Sequence, residues 1–85
     1  MKTKSEIVKK IKETIAEVSL GAVTEEQVLS DSRIIGDLGL DSLDYATVML
    51  SLERWSKVKI KEDSVNWATV QTVDQLAGLF EAHQK

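Results

Sequence analysis

A glycine-containing loop meets a long helix in the stretch Asp37-Leu38-Gly39-Leu40-Asp41-Ser42-Leu43-Asp44. Gly39 interrupts any regular element that comes before it. From Ser42 to about Ser56 the chain has no Gly and no Pro, which favours an uninterrupted helix. Asp41 stands where a side-chain oxygen can cap the first amides of that helix. The sequence therefore predicts a helix over residues 42–56.

Two apolar stripes run along this predicted helix at 100° per residue. The first consists of Tyr45, Val48, Met49, Leu52 and Trp55. The second lies on roughly the opposite side, consists of Leu43, Ala46 and Leu50, and is flanked by Thr47, Glu53 and Arg54. A domain this small buries only one stripe fully. Either the preceding loop covers the second stripe or a partner protein binds it, and we favour the partner.

The residues before this helix predict another helix and a long loop. Apolar residues at helical spacing, opened by a Thr3–Glu6 capping box, predict a helix over residues 4–19. Gly21 is a suitable stop. The loop over residues 20–40 has no clean period, and we expect its apolar residues to pack on the helices. Within it, residues 24–27 have the pattern of a capped helical turn.

The residues after the helix predict a connector and two further helices. The segment 57–61 is expected to be an extended connector, and 62–68 a short helix. A capping box of Thr72 and Gln75 opens the last helix. Gly78 inside that helix suggests close packing, because Gly is unfavourable in a helix interior.

Together these segments predict an all-α fold: a small four-helix bundle with three long helices, one short helix and a long first loop, in a single domain over residues 1–85. The inner faces of the long helices should meet in one core. The core residues predicted from them are Ile11, Ile15, Val48, Met49, Leu52, Leu76 and Phe80.

Composition narrows the classes of function. The 85 residues include no Cys and a single His, so disulfides, thiolate metal sites and a His-based catalytic site are not expected. The net charge of −3 argues against a nucleic-acid partner, and residues 21–56 contain seven acids and two Arg. No apolar run approaches the roughly 20 residues of a membrane helix, which argues against a membrane partner. Without the apolar core of a secretory signal, a cytoplasmic location is expected.

The stretch quoted above resembles the attachment site of acyl carrier proteins, whose signature is a Gly-x-Asp-Ser-Leu segment. Here it reads Gly39-Leu40-Asp41-Ser42-Leu43. On local sequence alone, Ser42 would be an ordinary residue at a helix start. The resemblance, however, covers essentially the whole chain: the length, the long first loop, the acidic second helix and the two closing helices all match. It implies a non-catalytic carrier with the fold of that family.

The resemblance implies a covalent prosthetic group on Ser42. In this family a phosphopantetheinyl transferase moves 4'-phosphopantetheine from coenzyme A onto the Ser hydroxyl and releases 3',5'-adenosine diphosphate. The distal thiol then holds a cargo acid as a thioester. Asp41 is the matching residue that supports the modification. A phosphodiester also suits a helix start, because free amides and the helix dipole favour an anion there.

The resemblance also implies partners that dock on the second helix, through acidic side chains around a few apolar contacts. Besides the transferase, these are an acyl- or aminoacyl-loading enzyme and a downstream transferase or synthase, each serving a monomeric carrier. The residues expected to contact them are Asp37, Leu43, Asp44, Ala46, Thr47, Leu50, Glu53 and Arg54.

Carriers of housekeeping fatty-acid synthesis usually place a Glu five residues after the Ser, where this chain has Thr47. They usually end the second helix with a run of Glu, where this chain has Glu53-Arg54-Trp55-Ser56-Lys57. These departures favour a free-standing carrier of a specialised pathway, of the polyketide, nonribosomal peptide or aminoacyl-loading kind. The alternatives are a housekeeping fatty-acid carrier and, from another class, an unmodified helical adaptor. A Ser42 nucleophile is not expected, because no base accompanies it.

Overall fold

The computed structural model describes residues 2–61, 63 and 65–84, and these residues contain three α-helices. They are α1 (Lys4–Val18), α2 (Ser42–Ser56) and α3 (Val73–Ala82). Single 3₁₀-helical turns lie at Glu25–Gln27 and Trp67–Thr69. The described residues form no strand. One isolated antiparallel bridge among them joins the first loop to the start of α3. The predicted all-α fold is confirmed.

A capping side chain lies at the start of each of these helices, as predicted. Thr3 and Thr72 each accept a hydrogen bond from the amide three residues further on, and their partners Glu6 and Gln75 complete capping boxes. Asp41 caps α2 in the same way. Such bonds satisfy amides that have no acceptor inside the helix. Each cap therefore fixes where its helix begins.

The core lies where α1 packs against both α2 and α3. All seven predicted core residues are buried, so that prediction is confirmed. Phe80 is the largest fully buried side chain. The other buried apolar residues of the same cluster are Ile7, Val28, Ile34, Leu40, Ile60, Val70, Val73 and Ala77.

The first loop packs on the helices, as its apolar residues predicted. Val28, Ile34 and Leu40 are buried, and Val23 and Leu38 are partly buried against the core. The predicted turn within it is present as a 3₁₀ turn with a capping box of Thr24 and Gln27. The loop therefore contributes to the core and is held by it.

α1 ends one residue before the predicted boundary. Ser19 is the C-cap, and Leu20 and Gly21 both have positive φ angles, 57° and 84°. The amide of Gly21 donates to the carbonyl of Ala16 at 3.0 Å, and that of Leu20 to Glu17 at 3.1 Å. These two bonds form a Schellman motif, which satisfies carbonyls at the helix end.

The connector after α2 is tied to the helix it leaves. Lys57 at the C-cap is left-handed, with φ 61°, so the chain turns sharply. Ile60 is buried, and its amide donates to Glu53 Oε2 at 3.0 Å. This contact explains how a segment without a partner strand keeps a defined path.

Two predictions need correction. The predicted short helix over 62–68 is represented by the 3₁₀ turn Trp67–Thr69, while Glu62 and Ser64 lie outside the described residues. Apolar spacing alone does not distinguish a 3₁₀ turn from a short α-helix. The close packing expected at Gly78 is wrong, because a Cβ placed there would have nothing within 4 Å.

Lys2 and Gln84 lie side by side and are joined by two hydrogen bonds. Gln84 Nε2 donates to the carbonyl of Lys2 at 2.7 Å, and the Lys2 amide donates back to Gln84 Oε1. Lys2 Nζ lies 4.9 Å from the centre of the Trp55 ring, a cation–π contact. The Lys2 side chain therefore packs against the last turn of α2.

Candidate functional site

Ser42 is the first residue of α2 and is exposed to solvent. Asp41 before it has extended backbone angles, φ −89° and ψ 179°, so the helix begins at Ser42 and not earlier. The Asp41 side chain accepts the amide of Asp44 through Oδ1 at 2.8 Å. Its backbone carbonyl accepts the amide of Tyr45 at 3.0 Å. These bonds fix the start of α2, so that Ser42 lies exposed in its first turn.

Two backbone amides at the start of α2 are free to receive an anion. Within the described part of the chain, the amides of Ser42 and Leu43 have no protein acceptor. The positive end of the helix dipole lies at the same place. Free amides and a helix N-terminus together favour a phosphate group. The site therefore fits a phosphodiester on the Ser42 oxygen.

The loop just before Ser42 is anchored by its own residues. Gly39 has a φ of 75°, a left-handed conformation that Gly adopts without the strain of a Cβ. This turn places Leu40, only 4% exposed, in the core one residue ahead of the cap. Gly39 and Leu40 thus orient the residues that follow them.

The middle of the loop is fastened to the start of α3. The amide of Ile34 donates to the carbonyl of Gln71 at 2.9 Å, and the amide of Val73 donates to the carbonyl of Ser32 at 3.1 Å. The Asp74 amide adds a bond to the carbonyl of Ser30 at 2.8 Å. These long-range bonds bring the loop alongside the 3₁₀ turn at 67–69.

A pocket of about 350 Å³ opens beside Ser42 between the fastened loop, α2 and the 3₁₀ turn. It is lined by Arg33, Ile35, Gly36, Ser42, Tyr45, Trp67, Val70 and Gln71. Its volume lies at the small end of the range for small-molecule sites. Apart from Ser42, none of these residues was predicted as part of a site. The loop residues lack a periodic pattern, and no signal in the sequence joins positions 33–36 to 67–71.

Tyr45 forms one wall of this pocket and links α2 to the segment before α3. Its hydroxyl donates to the carbonyl of Val70 at 2.9 Å. Its ring meets Trp67 edge to face, with the ring centres 6.2 Å apart. Burial raises the pKa of Tyr45 to about 12, because the phenolate would lose hydration there. The hydroxyl thus stays protonated and can donate this hydrogen bond.

The second apolar stripe of α2 is exposed. Leu43 is 74% exposed and Leu50 49%, and Ala46 between them is also exposed. The alternative in which the first loop covers this stripe is therefore wrong, because the loop packs into the core and against α3. The three side chains share the outer face of the helix that begins with Ser42.

The polar residues predicted to contact partners have different surroundings. Thr47 and Arg54 are exposed, and the Thr47 hydroxyl donates to the carbonyl of Leu43 at 3.0 Å. Asp44 is half-buried in the first turn of α2, near Ser42. Glu53 is half-buried and accepts the Ile60 amide, so one carboxylate oxygen faces the connector.

Asp37 forms a local ion pair with Arg33 in the loop. Asp37 Oδ2 accepts the backbone amide of Arg33 at 2.8 Å, and Oδ1 lies 3.4 Å from the Arg33 guanidinium. These two hydrogen bonds, that of the backbone amide first, hold the pKa of Asp37 below its usual value. Asp37 is therefore ionised at neutral pH and shares its charge with Arg33.

The described ranges contain neither a candidate metal centre nor a membrane-spanning helix. No group of three or more His, Cys, Asp or Glu side chains is placed to hold a metal ion there. None of the helices in those ranges has the length and apolar character to cross a membrane.

The chain is similar to known proteins over most of its length. Residues 9–80 match the family described as "Phosphopantetheine attachment site". The chain is 35% identical over 81 residues to an acyl carrier protein of Thermotoga maritima, covering 95% of both chains. It is 40% identical over 62 residues to an acyl carrier protein of Cyanidium caldarium, covering 73% of this chain and 70% of the other.

Proposed function

The chain belongs to the acyl carrier protein family, and from that premise we propose that it carries an acyl or aminoacyl cargo on Ser42. The prosthetic group of the family is covalently attached 4'-phosphopantetheine, which supplies the thiol that holds the cargo as a thioester. The observation that carries the proposal is the position of Ser42, exposed at the first residue of a capped helix. A transferase can reach the hydroxyl there without unfolding any part of the chain.

The residues around Ser42 fit the attached phosphodiester. The free amides of Ser42 and Leu43 and the helix dipole favour the negative charge. Asp41 uses Oδ1 to cap the helix, and we propose that its carboxylate also helps the transferase to position its metal and the Ser hydroxyl. One side chain then serves both roles without rearrangement.

We propose that partner enzymes dock on the outer face of α2. The exposed stripe of Leu43, Ala46 and Leu50 offers apolar contact next to Ser42. Asp37 and Asp44 add negative charge beside it, and Thr47, Glu53 and Arg54 border it further along the helix. Contacts of this composition associate quickly and weaken with salt. Weak binding suits a carrier that must release each partner.

We favour a specialised biosynthetic pathway over housekeeping fatty-acid synthesis. The support comes from Thr47 and Arg54, which are both exposed on α2 and change the charge that a partner meets. Two other departures have structural roles: Trp55 contacts Lys2, and Lys57 forms the left-handed C-cap of α2. A housekeeping carrier is the alternative, and loading by a fatty-acid malonyl transferase at a rate equal to that of an authentic fatty-acid carrier would favour it.

Mass spectrometry after incubation with coenzyme A and a broad-specificity transferase tests the attachment. The intact protein should gain the mass of one phosphopantetheine, and the peptide containing Ser42 should carry it. Ser42→Ala should fold and gain nothing, whereas Ser5→Ala, which changes another exposed helical Ser, should be modified normally. An unmodified wild-type chain would support the adaptor alternative, and modification of Ser42→Ala would show that the site is elsewhere.

A further inference from the structure

Arg33 is the one charged side chain among the eight residues that line the pocket beside Ser42. The family resemblance did not point to it, and the attachment proposal makes no use of it. The bonds of Ile34 with Gln71 and of Val73 with Ser32 fix the backbone on both sides of Arg33. The loop therefore delivers a single guanidinium to the pocket that Ser42 borders.

The present partner of this guanidinium holds it weakly. The Arg33 nitrogen lies 3.4 Å from Asp37 Oδ1, at the outer limit of a hydrogen bond, and both side chains are about half exposed. Exposed ion pairs of this kind contribute little free energy. Asp37 is held more firmly by the backbone amide of Arg33, at 2.8 Å, and this bond does not require the guanidinium.

The residue next to the guanidinium is a glycine, which leaves one side of it without a side-chain contact. Gly36 has no side chain, and a Cβ at that position would lie 3.5 Å from Arg33 Nε and 3.6 Å from Cζ. Any residue other than glycine would therefore touch the guanidinium from this side. With Gly36 in place, no side chain at position 36 contacts the guanidinium.

A phosphodiester on Ser42 would add negative charge at the start of α2 and so favour a positively charged group nearby. The carboxylates of Asp41 and Asp44 lie in the same helix start, and the phosphodiester adds a third negative charge. The free amides supply partial charges only. A guanidinium can bind phosphate oxygens through two parallel charge-assisted hydrogen bonds. The phosphodiester is therefore a better partner for Arg33 than the single exposed contact with the Asp37 carboxylate.

We propose that attachment of the prosthetic group makes Arg33 exchange partners, from the Asp37 carboxylate to the phosphodiester on Ser42. Asp37 then keeps its bond to the backbone amide and presents its charge, no longer shared, to partner proteins. Loading would thereby change the charge pattern beside the docking face, so that enzymes could distinguish the loaded from the unloaded carrier. This inference rests on the proposed attachment at Ser42.

The chain offers a sharp test because it contains two arginines, Arg33 and Arg54. The ¹⁵N NMR spectrum of the Arg Nε–Hε groups is recorded before and after loading, and mass spectrometry establishes that loading is complete. The Arg33 signal should shift and show a nuclear Overhauser contact to the methylene next to the phosphate of the arm. The signal of Arg54, at the far end of α2, should stay in place and serves as the internal control.

Asp37→Asn supplies a second, independent measurement. In the unloaded protein this change should shift the Arg33 signal, because it removes the carboxylate that the guanidinium contacts. In the loaded protein the same change should leave the Arg33 signal where it is in loaded wild type. A fully loaded protein in which Asp37→Asn still shifts Arg33 would overturn the exchange while leaving the attachment intact. Failure of loading itself would instead refute the attachment at Ser42, and the exchange with it.

Discussion

Truncating two leucines of α2, one at a time, separates the buried stripe of the helix from the exposed one. Leu52 is 0% exposed and Leu50 is 49% exposed, although they lie two positions apart on the same helix. Changing either to Ala removes the same atoms and has the same effect on helix propensity. A difference between the two variants therefore reports what surrounds each side chain.

The expected loss of stability follows from these surroundings. Leu52→Ala leaves a cavity in the core and should lower the free energy of unfolding by roughly 2–5 kcal/mol. A domain of this length is stabilised by roughly 4–13 kcal/mol in total, so the loss is a large share. The melting temperature should fall by at least about 8 °C. Leu50→Ala removes a half-exposed side chain and should cost at most about 1.5 kcal/mol.

Urea denaturation followed by circular dichroism measures the stability of both variants, and loading kinetics with the dedicated partner enzyme measure their docking. Leu50→Ala should slow loading because it removes apolar contact area, whereas Leu52→Ala should load normally at temperatures where it is folded. If Leu52→Ala changed the free energy of unfolding by less than about 0.5 kcal/mol, the assignment of the core stripe would be refuted. If Leu50→Ala lowered the stability as much as Leu52→Ala, the outer stripe would also belong to the core.

Three further predictions concern single positions. Ala46→Glu should shift the free energy of unfolding by less than about 0.5 kcal/mol. It should slow loading, because a charge enters the apolar centre of the proposed docking face. Loading at the wild-type rate would show that partners dock elsewhere. Tyr45→Phe should cost roughly 0.5–1.5 kcal/mol in chemical denaturation, by removing the bond to Val70. The folded-state pKa of Tyr45 is raised to about 12. The stabilising contribution of the protonated hydroxyl is therefore complete below pH 10 and is lost as pH rises towards 12. The Phe variant should lack this part of the loss of stability at alkaline pH. Gly78→Ala should raise the free energy of unfolding by up to about 1 kcal/mol, because open space surrounds that position; a lower melting temperature would contradict this.

The helices and their starts could be predicted from the sequence because the interactions that set them are local. The caps at Thr3, Asp41 and Thr72 bind amides within three residues, and the sequence shows both partners of each bond. The inner stripes of the helices follow from a fixed rotation per residue, so the seven residues predicted from them are all buried. Ser42 was identified by its resemblance to a family signature, and its exposure at a helix start follows from the cap beside it.

The surroundings of Ser42 were decided by the tertiary structure alone. The pocket joins the segments 33–36 and 67–71, which come together because loop amides and carbonyls pair with those at the start of α3. Such pairing depends on how the helices pack, and no periodicity records it. The same reason applies to Gly78: a glycine in a helix shows that a side chain is absent, while only the neighbouring elements decide whether the space beside it is filled. The sequence thus determined the helices and the position of Ser42 at the start of one of them, and packing determined the pocket beside it.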